Sequence, residues 1–185
     1  RAAKKASRHL LPGQYAVVVG VGGLGHIGIQ VLKALCAAEI IAIDRSDLAL
    51  TLAKECGAHH VLKADGNEVE EVLALTNGNG AEAVIDFVAE GDAVAKGLAM
   101  TRNDGFYYIV GYGGRVDIPT IDMIISEKTI VGNLVGTYAE LVELMALADR
   151  GVVKLATREY RLAEANQALH DLHAGKIKGR AVLIP

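Results

Sequence analysis

Six consecutive residues, Gly20-Val21-Gly22-Gly23-Leu24-Gly25, carry the strongest chemical signal in the chain. They form a GxGxxG run that directly follows the apolar segment Tyr15–Val19 and opens an amphipathic stretch. A glycine turn between a buried strand and a helix leaves backbone N–H groups free at the positive end of the helix dipole. Such a turn holds phosphate. Gly20 suits the tight turn, Gly22 a close approach of backbone to pyrophosphate, and Gly25 a close helix–strand contact. Asp44 ends the next apolar run, 19 residues after Gly25. A carboxylate there accepts hydrogen bonds from ribose hydroxyls and repels a 2′-phosphate, which favours NAD over NADP. Arg45 follows at once and is a possible phosphate partner. The glycine run is also compatible with a different adenosine ligand, such as S-adenosylmethionine, and with a ligand-free turn in an unrelated α/β protein.

Other residue types offer less chemistry. None of the six tyrosines has a lysine four positions on, so the Tyr-x-x-x-Lys pair of the short-chain dehydrogenases is absent. His170 and His173 share a helical face at i, i+3 but no Cys, Asp or Glu converges on them, so an exposed face is the expectation. His59-His60 precedes a strand and reads as a turn. His26 lies just inside the glycine-turn helix, where cofactor contact, packing and solvent are all open. Cys36 and Cys56 sit near helix ends and read as small packing residues. No Ser/His/Asp set or carboxylate pair stands out.

The elements that must hold these residues alternate. Strands are expected at Tyr15–Val19, Ile40–Ile43, Val61–Leu62, Ala83–Val88, Phe106–Val110 and Thr129–Val131. Between them fall a helix whose apolar face is Leu24, Ile27, Gly28, Val31 and Leu35, a helix over about 47–56 capped by Ser46, an acidic helix around Val69–Leu75 and a helix near 91–101. Gly57, Asn77–Gly80 and Asn103-Asp104-Gly105 supply turn chemistry. Continuous apolar strands separated by helices predict an α/β protein: a Rossmann, doubly wound parallel sheet of six strands with helices on both faces. Residues 1–10 predict a lead-in helix with a solvated cationic face (Arg1, Lys4, Lys5, Arg8). Beyond about 135 the rhythm breaks into helices at Ala139–Arg150 and Ala163–Ala174 and a strand at Ala181–Ile184.

Composition sets the class. The 185 residues are 51% hydrophobic and 22% charged, with 19 basic against 22 acidic side chains and a net charge of −3. That is a globular composition and disfavours a nucleic-acid partner. No apolar run is long enough for a bilayer, so no membrane partner is expected. Two cysteines exclude a disulfide framework, and with no visible signal peptide they predict a cytoplasmic location.

Several blocks, in order, resemble the zinc-type medium-chain alcohol dehydrogenases. They are Val17–Gly28 with Asp44 and Glu55–Ala58, then Val84–Val88, Ile109–Tyr112, Gly132–Gly136 and Gly175–Leu183. The GxGGxG form is that of the zinc enzymes; zinc-free quinone reductases of the same superfamily usually carry an alanine-rich loop.

The resemblance implies that Gly20, Gly22, Gly23, Leu24 and Gly25 line the pyrophosphate and that Asp44 and Arg45 hold the adenosine. Phe87 and Val88 would lie along the cofactor. Val110, Gly111, Tyr112, Asn133 and Leu134 would approach the nicotinamide, and Arg180 would pair with the pyrophosphate. Ala49 stands where the family often has a lysine.

The resemblance further implies that residues 1–135 are the dinucleotide-binding domain and that 136–185 return to a catalytic domain absent from this sequence. That absent domain would hold the zinc, so no metal ligand or catalytic residue is expected in this chain. Homodimerisation through the sheet edge near Val116–Ile121 is a further implication. The expected function is hydride transfer between NAD and an alcohol, aldehyde or ketone by the parent enzyme, with this segment inactive alone. The alternatives are a stand-alone NAD-binding or regulatory module, or a relative of the zinc-free, NADP-dependent quinone reductases.

Overall fold

A computed structural model describes all 185 residues. Helix α1 (Ala2–Ser7) leads into β1 (Tyr15–Val19), α2 (Gly25–Leu35), β2 (Glu39–Asp44), α3 (Asp47–Glu55) and β3 (His60–Lys63). The chain continues through α4 (Glu68–Leu75), β4 (Ala81–Asp86), α5 (Ala93–Met100), β5 (Thr101–Ile109), α6 (Thr120–Ser126) and β6 (Thr129–Gly132). It ends with α7 (Tyr138–Asp149), β7 (Thr157–Arg161), α8 (Ala165–His173) and β8 (Arg180–Ile184). Six strands form one sheet in the order β3-β2-β1-β4-β5-β6, every pair parallel. This is the expected six-stranded Rossmann sheet. The chain runs outward from β1 to β3, then returns to place β4 on the other side of β1. Diverging connections open a crevice at the carboxyl ends of these strands.

Both sheet faces are dry, which is why the central strands read as unbroken apolar runs. Side chains alternate along each strand. Val17, Ile41, Val84 and Tyr107 point into one core with Val72 of α4 and Val94 of α5. Ala16, Val18, Ile40, Ile85 and Tyr108 point into the other with Ala6 of α1 and Ile29 and Leu32 of α2. Burial of each such Ile or Leu contributes roughly 1.5–3 kcal/mol. Ser46 caps α3 as expected, accepting from the Ala49 N–H at 3.4 Å.

Several expectations change. The buried face of α2 is Gly25, Gly28, Ile29 and Leu32, joined by His26 and Gln30, whereas Leu24 and Leu35 are exposed. Of these only Gly28 lies on the expected face; Gly25 has no side chain and His26 and Gln30 are polar, so a count of apolar side chains rotates the helix wrongly. β4 stops at Asp86 because that side chain takes the N–H groups of Val88 and Ala89, both at 2.8 Å, and turns the chain out of the ladder. Asn103-Asp104-Gly105 lies within β5, looping out where pairing jumps from Thr101 to Phe106 while β4 advances only from Ala81 to Ala83. α6 and β7 have no counterpart in the sequence pattern. α6 buries none of its residues and β7 only Tyr160, so neither shows a one-sided apolar pattern. The Val116–Ile121 segment is the loop into α6 and its first turn; the edge strand on that side is β6.

The cationic face of α1 is partly occupied: Arg1 pairs with Glu140 at 3.0 Å and Lys4 with Glu143, both on α7. Glu140 also closes a capping box with Thr137, accepting from its N–H at 2.7 Å and its hydroxyl at 3.0 Å. The Thr137 N–H bond first, then the Thr137 hydroxyl and Arg1, hold the Glu140 carboxyl down at about 2, from an ordinary 4.5. A depressed folded-state pKa contributes stability that is full above the ordinary value and lost as pH falls through the folded one. Glu140→Gln is therefore expected to fray α7 near neutral pH, seen as faster amide exchange in its first turn. That difference should vanish at about pH 2, and its persistence there would rule the account out.

Candidate functional site

The glycine turn is built by local backbone bonding. Gly20 leaves β1 with φ +84°, a conformation that favours glycine, and its N–H donates to the Ile43 carbonyl at 2.8 Å. The next N–H, of Val21, donates to Asp44 Oδ2 at 2.7 Å, while Asp44 Oδ1 accepts from Ser46 N–H at 2.8 Å. Asp44 thus ties the turn after β1 to the turn after β2, and each oxygen keeps a lone pair. A Cβ on Gly25 would lie 1.8 Å from the Gly20 carbonyl oxygen, so the helix enters as close to the turn as backbone permits. A Cβ on Gly22 would meet nothing within 4 Å. Nothing inside the protein requires glycine at 22.

The N–H groups of Gly22, Gly23, Leu24 and Gly25 find no acceptor in the chain. The first turn of α2 holds no acidic residue. Four free donors at the positive end of an 11-residue helix are the chemistry that can hold an anion. Arg180 stands over this turn, its Nε donating to the Gly23 carbonyl at 3.3 Å. No carboxylate pairs with its guanidinium.

A cleft of about 750 Å³ opens here at the carboxyl ends of β1, β2 and β4. Of the predicted site residues it brings together Gly20, Gly22, Gly23, Leu24, Gly25, Asp44, Arg45, Phe87, Val88 and Arg180. Val110, Gly111, Tyr112, Asn133 and Leu134 do not line it. They follow β5 and β6, the next strands in order, and continue the same edge outward. The Val110 and Gly111 N–H groups bond the Asp86 carbonyl, and Asn133 N–H bonds that of Ile109. Tyr112 and Leu134 are exposed. The Asn133 side-chain oxygen is buried without a partner.

Two features of the site escaped sequence reasoning, and a third, His26, was open there between cofactor contact, packing and solvent. Lys96 crosses one wall of the cleft to Glu68 at 2.7 Å and Asp92 at 2.9 Å. Its hydrogen bonds to Glu68 and Asp92 push the lysine up to about 12. Burial pushes the Glu68 carboxyl up, but Lys96 and the N–H groups of Glu68 and Gly66 outweigh it and hold it low. Only the i, i+4 pair Asp92/Lys96 was visible in sequence; Glu68 comes from another helix.

Asp86, fully buried, accepts from Val88, Ala89 and the Tyr107 hydroxyl, the last at 2.6 Å. Burial first, then Asp86, push the Tyr107 phenol far above its ordinary value. An acid ending an apolar strand was the available signal. His26 is fully buried: its Nδ1 lies 2.8 Å from the Gly22 carbonyl and its Nε2 accepts from Ala156 N–H at 3.3 Å. Burial, with Arg180 nearby, lowers its pKa against the Gly22 bond.

The cysteines and the histidines of α8 lie as expected. Cys36 and Cys56 are free, partly buried, and packed against the core at the ends of α2 and α3. His170 and His173 are exposed on α8. His60 begins β3 and pairs with Glu39 at 3.2 Å, so it is a strand residue, not a turn. No three His, Cys, Asp or Glu side chains converge where a metal could be held, so the residues of this chain do not fit a zinc ion. No helix is long and apolar enough to cross a membrane.

A family model described as zinc-binding dehydrogenase matches residues 23–150, from the glycine turn to the end of α7. The chain belongs to this family. An NAD-dependent alcohol dehydrogenase of Sulfurisphaera tokodaii is 36% identical over all of this chain and 54% of its own length. A second, from Saccharolobus solfataricus, is 35% identical with the same coverage. The crystal structure of the alcohol dehydrogenase from Aeropyrum pernix superposes with a TM-score of 0.97 at 45% identity, over 100% of this chain and 54% of that one. The chain thus spans about half the length of these dehydrogenase relatives. A quinone oxidoreductase of Pseudomonas syringae, at 24% identity and a TM-score of 0.81, shares the fold alone.

Proposed function

We propose that this zinc-binding dehydrogenase segment binds NAD in the cleft and presents its nicotinamide for hydride transfer to or from an alcohol, aldehyde or ketone in the parent enzyme. The observation that carries the proposal is the open space over Gly22, rimmed by four free N–H groups and Arg180. The pyrophosphate takes those donors, and Arg180 adds a fixed cation. Asp44 receives the adenosine ribose hydroxyls on its free lone pairs, beside Arg45. Phe87 and Val88 pack along the cofactor. Val110, Gly111, Tyr112, Asn133 and Leu134 continue that edge toward the nicotinamide; the unpartnered Asn133 oxygen supports a ligand donor there. Bound NAD supplies the hydride acceptor or donor itself.

Residues 1–135 are then the dinucleotide-binding domain, and 136–185 extend toward a catalytic domain. Exposed Leu134, Val135, Tyr138, Leu141 and Met145, at or beside α7, support a missing neighbour. The catalytic zinc belongs to that neighbour, and this segment alone turns nothing over. Cytoplasmic location and a dimer complete the proposal.

Titration of NAD into the full-length protein tests the ribose contact. Asp44→Ala removes a charged acceptor, worth roughly 1.5–3 kcal/mol or about ten- to a hundredfold in Kd. It should also narrow the preference for NAD over NADP. Unchanged NAD affinity in the variant overturns the Asp44 assignment.

A further inference from the structure

We propose that His26, with Gln30 one turn later, is a positioning residue for the pyrophosphate site: it docks residues 154–156 on α2 and thereby sets Arg180 over the glycine turn. This rests on the NAD assignment above. His26 and Gln30 sit at i, i+4 on the same face of α2, both buried, and neither contacts the cleft itself. The Gln30 amide grips Lys154 twice: Lys154 N–H donates to Oε1 at 2.7 Å, and Nε2 donates to the Lys154 carbonyl at 2.9 Å. His26 Nε2 accepts from Ala156 N–H at 3.3 Å. Two side chains of α2 thus do for residues 154–156 what a neighbouring strand would do.

The grip is relayed to Arg180. The Ala156 carbonyl accepts from Arg180 N–H at 2.9 Å, and Thr157 begins β7 directly opposite Arg180 at the start of β8. Gly179 packs so tightly on Ala156 that a Cβ would lie 2.2 Å from its carbonyl oxygen. Residue 156 therefore fixes where β8 starts, and with it the side chain whose Nε reaches Gly23 at 3.3 Å.

The other end of the imidazole acts on the same turn. With Nε2 accepting, Nδ1 carries the proton and donates to the Gly22 carbonyl at 2.8 Å. In a trans peptide the N–H lies opposite the carbonyl, so holding the Gly22 oxygen aims the Gly23 N–H away from the ring. One neutral side chain thus orients a donor in the turn and anchors the strand that carries the cation. A protonated ring would set donor against donor at Ala156. Burial, which disfavours the charged form, keeps it neutral.

The test is a ligand series on the full-length protein: NAD and ADP-ribose, which contain the pyrophosphate, against adenosine, which does not. His26→Ala and Gln30→Ala should each raise the Kd of NAD and ADP-ribose by roughly five- to thirtyfold, in line with a weakened charged hydrogen-bond pair. Adenosine affinity should not change. The double variant His26→Ala/Arg180→Ala should lose less NAD affinity than the two single losses combined, because both remove the same Arg180 linkage and only the hold on the Gly22 carbonyl is lost in addition. His26→Gln, which keeps an acceptor for Ala156 N–H, should recover most of the affinity.

A fall in adenosine affinity parallel to NAD would show general damage and overturn the inference. So would NAD affinity unchanged in both His26→Ala and Gln30→Ala while Arg180→Ala weakens it. Loss of effect in Arg180→Ala and Asp44→Ala together would instead overturn the NAD assignment, and this inference with it. If His26→Ala does not fold, Gln30→Ala carries the same comparison.

Discussion

Gly25→Ala is expected to destabilise the protein by about 3 kcal/mol and to weaken NAD binding more than tenfold. The added Cβ would stand 1.8 Å from the Gly20 oxygen and 2.9 Å from its carbonyl carbon. Those atoms are backbone, so no side chain can swing away. α2 must retreat from β1, and the turn that connects them must open. Gly22→Ala is the matched control. Its Cβ meets nothing within 4 Å and its φ is ordinary, so stability should hold while NAD affinity falls. Chemical denaturation and NAD titration on both variants separate the two roles. A Gly25→Ala protein with the wild-type denaturation midpoint would refute the packing argument. A Gly22→Ala protein with wild-type NAD affinity would remove the ligand from the space above the turn.

Asp86→Ala is expected to cost about 3–5 kcal/mol, because a fully buried carboxylate is removed and three donors, two of them buried, lose their acceptor at once. The Val88 and Ala89 N–H groups and the Tyr107 hydroxyl all converge on this carboxylate. The Ala89 backbone adopts φ +47°, a left-handed conformation that strains a non-glycine residue by roughly 1–3 kcal/mol. The Asp86 bond to its N–H offsets that strain. Removing the carboxylate therefore also frees the segment that places Phe87 and Val88 in the cleft. Tyr107→Phe should cost less, about 1–2 kcal/mol, since the carboxylate keeps both backbone donors. Urea unfolding of the two variants checks the order. A Tyr107→Phe protein less stable than Asp86→Ala would contradict it. Tyr107 is also expected to stay protonated until the protein unfolds in alkali, visible as a missing tyrosinate absorbance step, because burial and Asp86 both oppose the anion.

Some parts of the site were legible because they are local. β1, the glycine turn, the start of α2 and Asp44 lie within 30 residues. Each is set by short-range rules: a two-sided apolar run, a positive-φ glycine, uncapped helix donors, a carboxylate at a strand end. The buried face of α2 was misplaced for an equally physical reason. Gly25 packs by lacking a side chain, and His26 and Gln30 are polar, so a rule that counts apolar side chains passes over all three. β7 was invisible because a strand of Thr157-Arg158-Glu159-Tyr160-Arg161 carries one buried residue and exists through its pairing with β8.

The sequence by itself determined the fold class, the glycine turn, its acid and the family resemblance, since those depend on neighbours in the chain. Tertiary structure alone decided the strand order, the route by which Asp86 turns the chain after β4, and the pairing of Glu68 with Lys96. It also decided that His26, Gln30 and Arg180 belong to one linkage, although 150 positions separate Gln30 from Arg180. Hydrogen bonds between such distant groups form only after the sheet has brought α2 and β8 together. No spacing rule along the chain encodes that meeting.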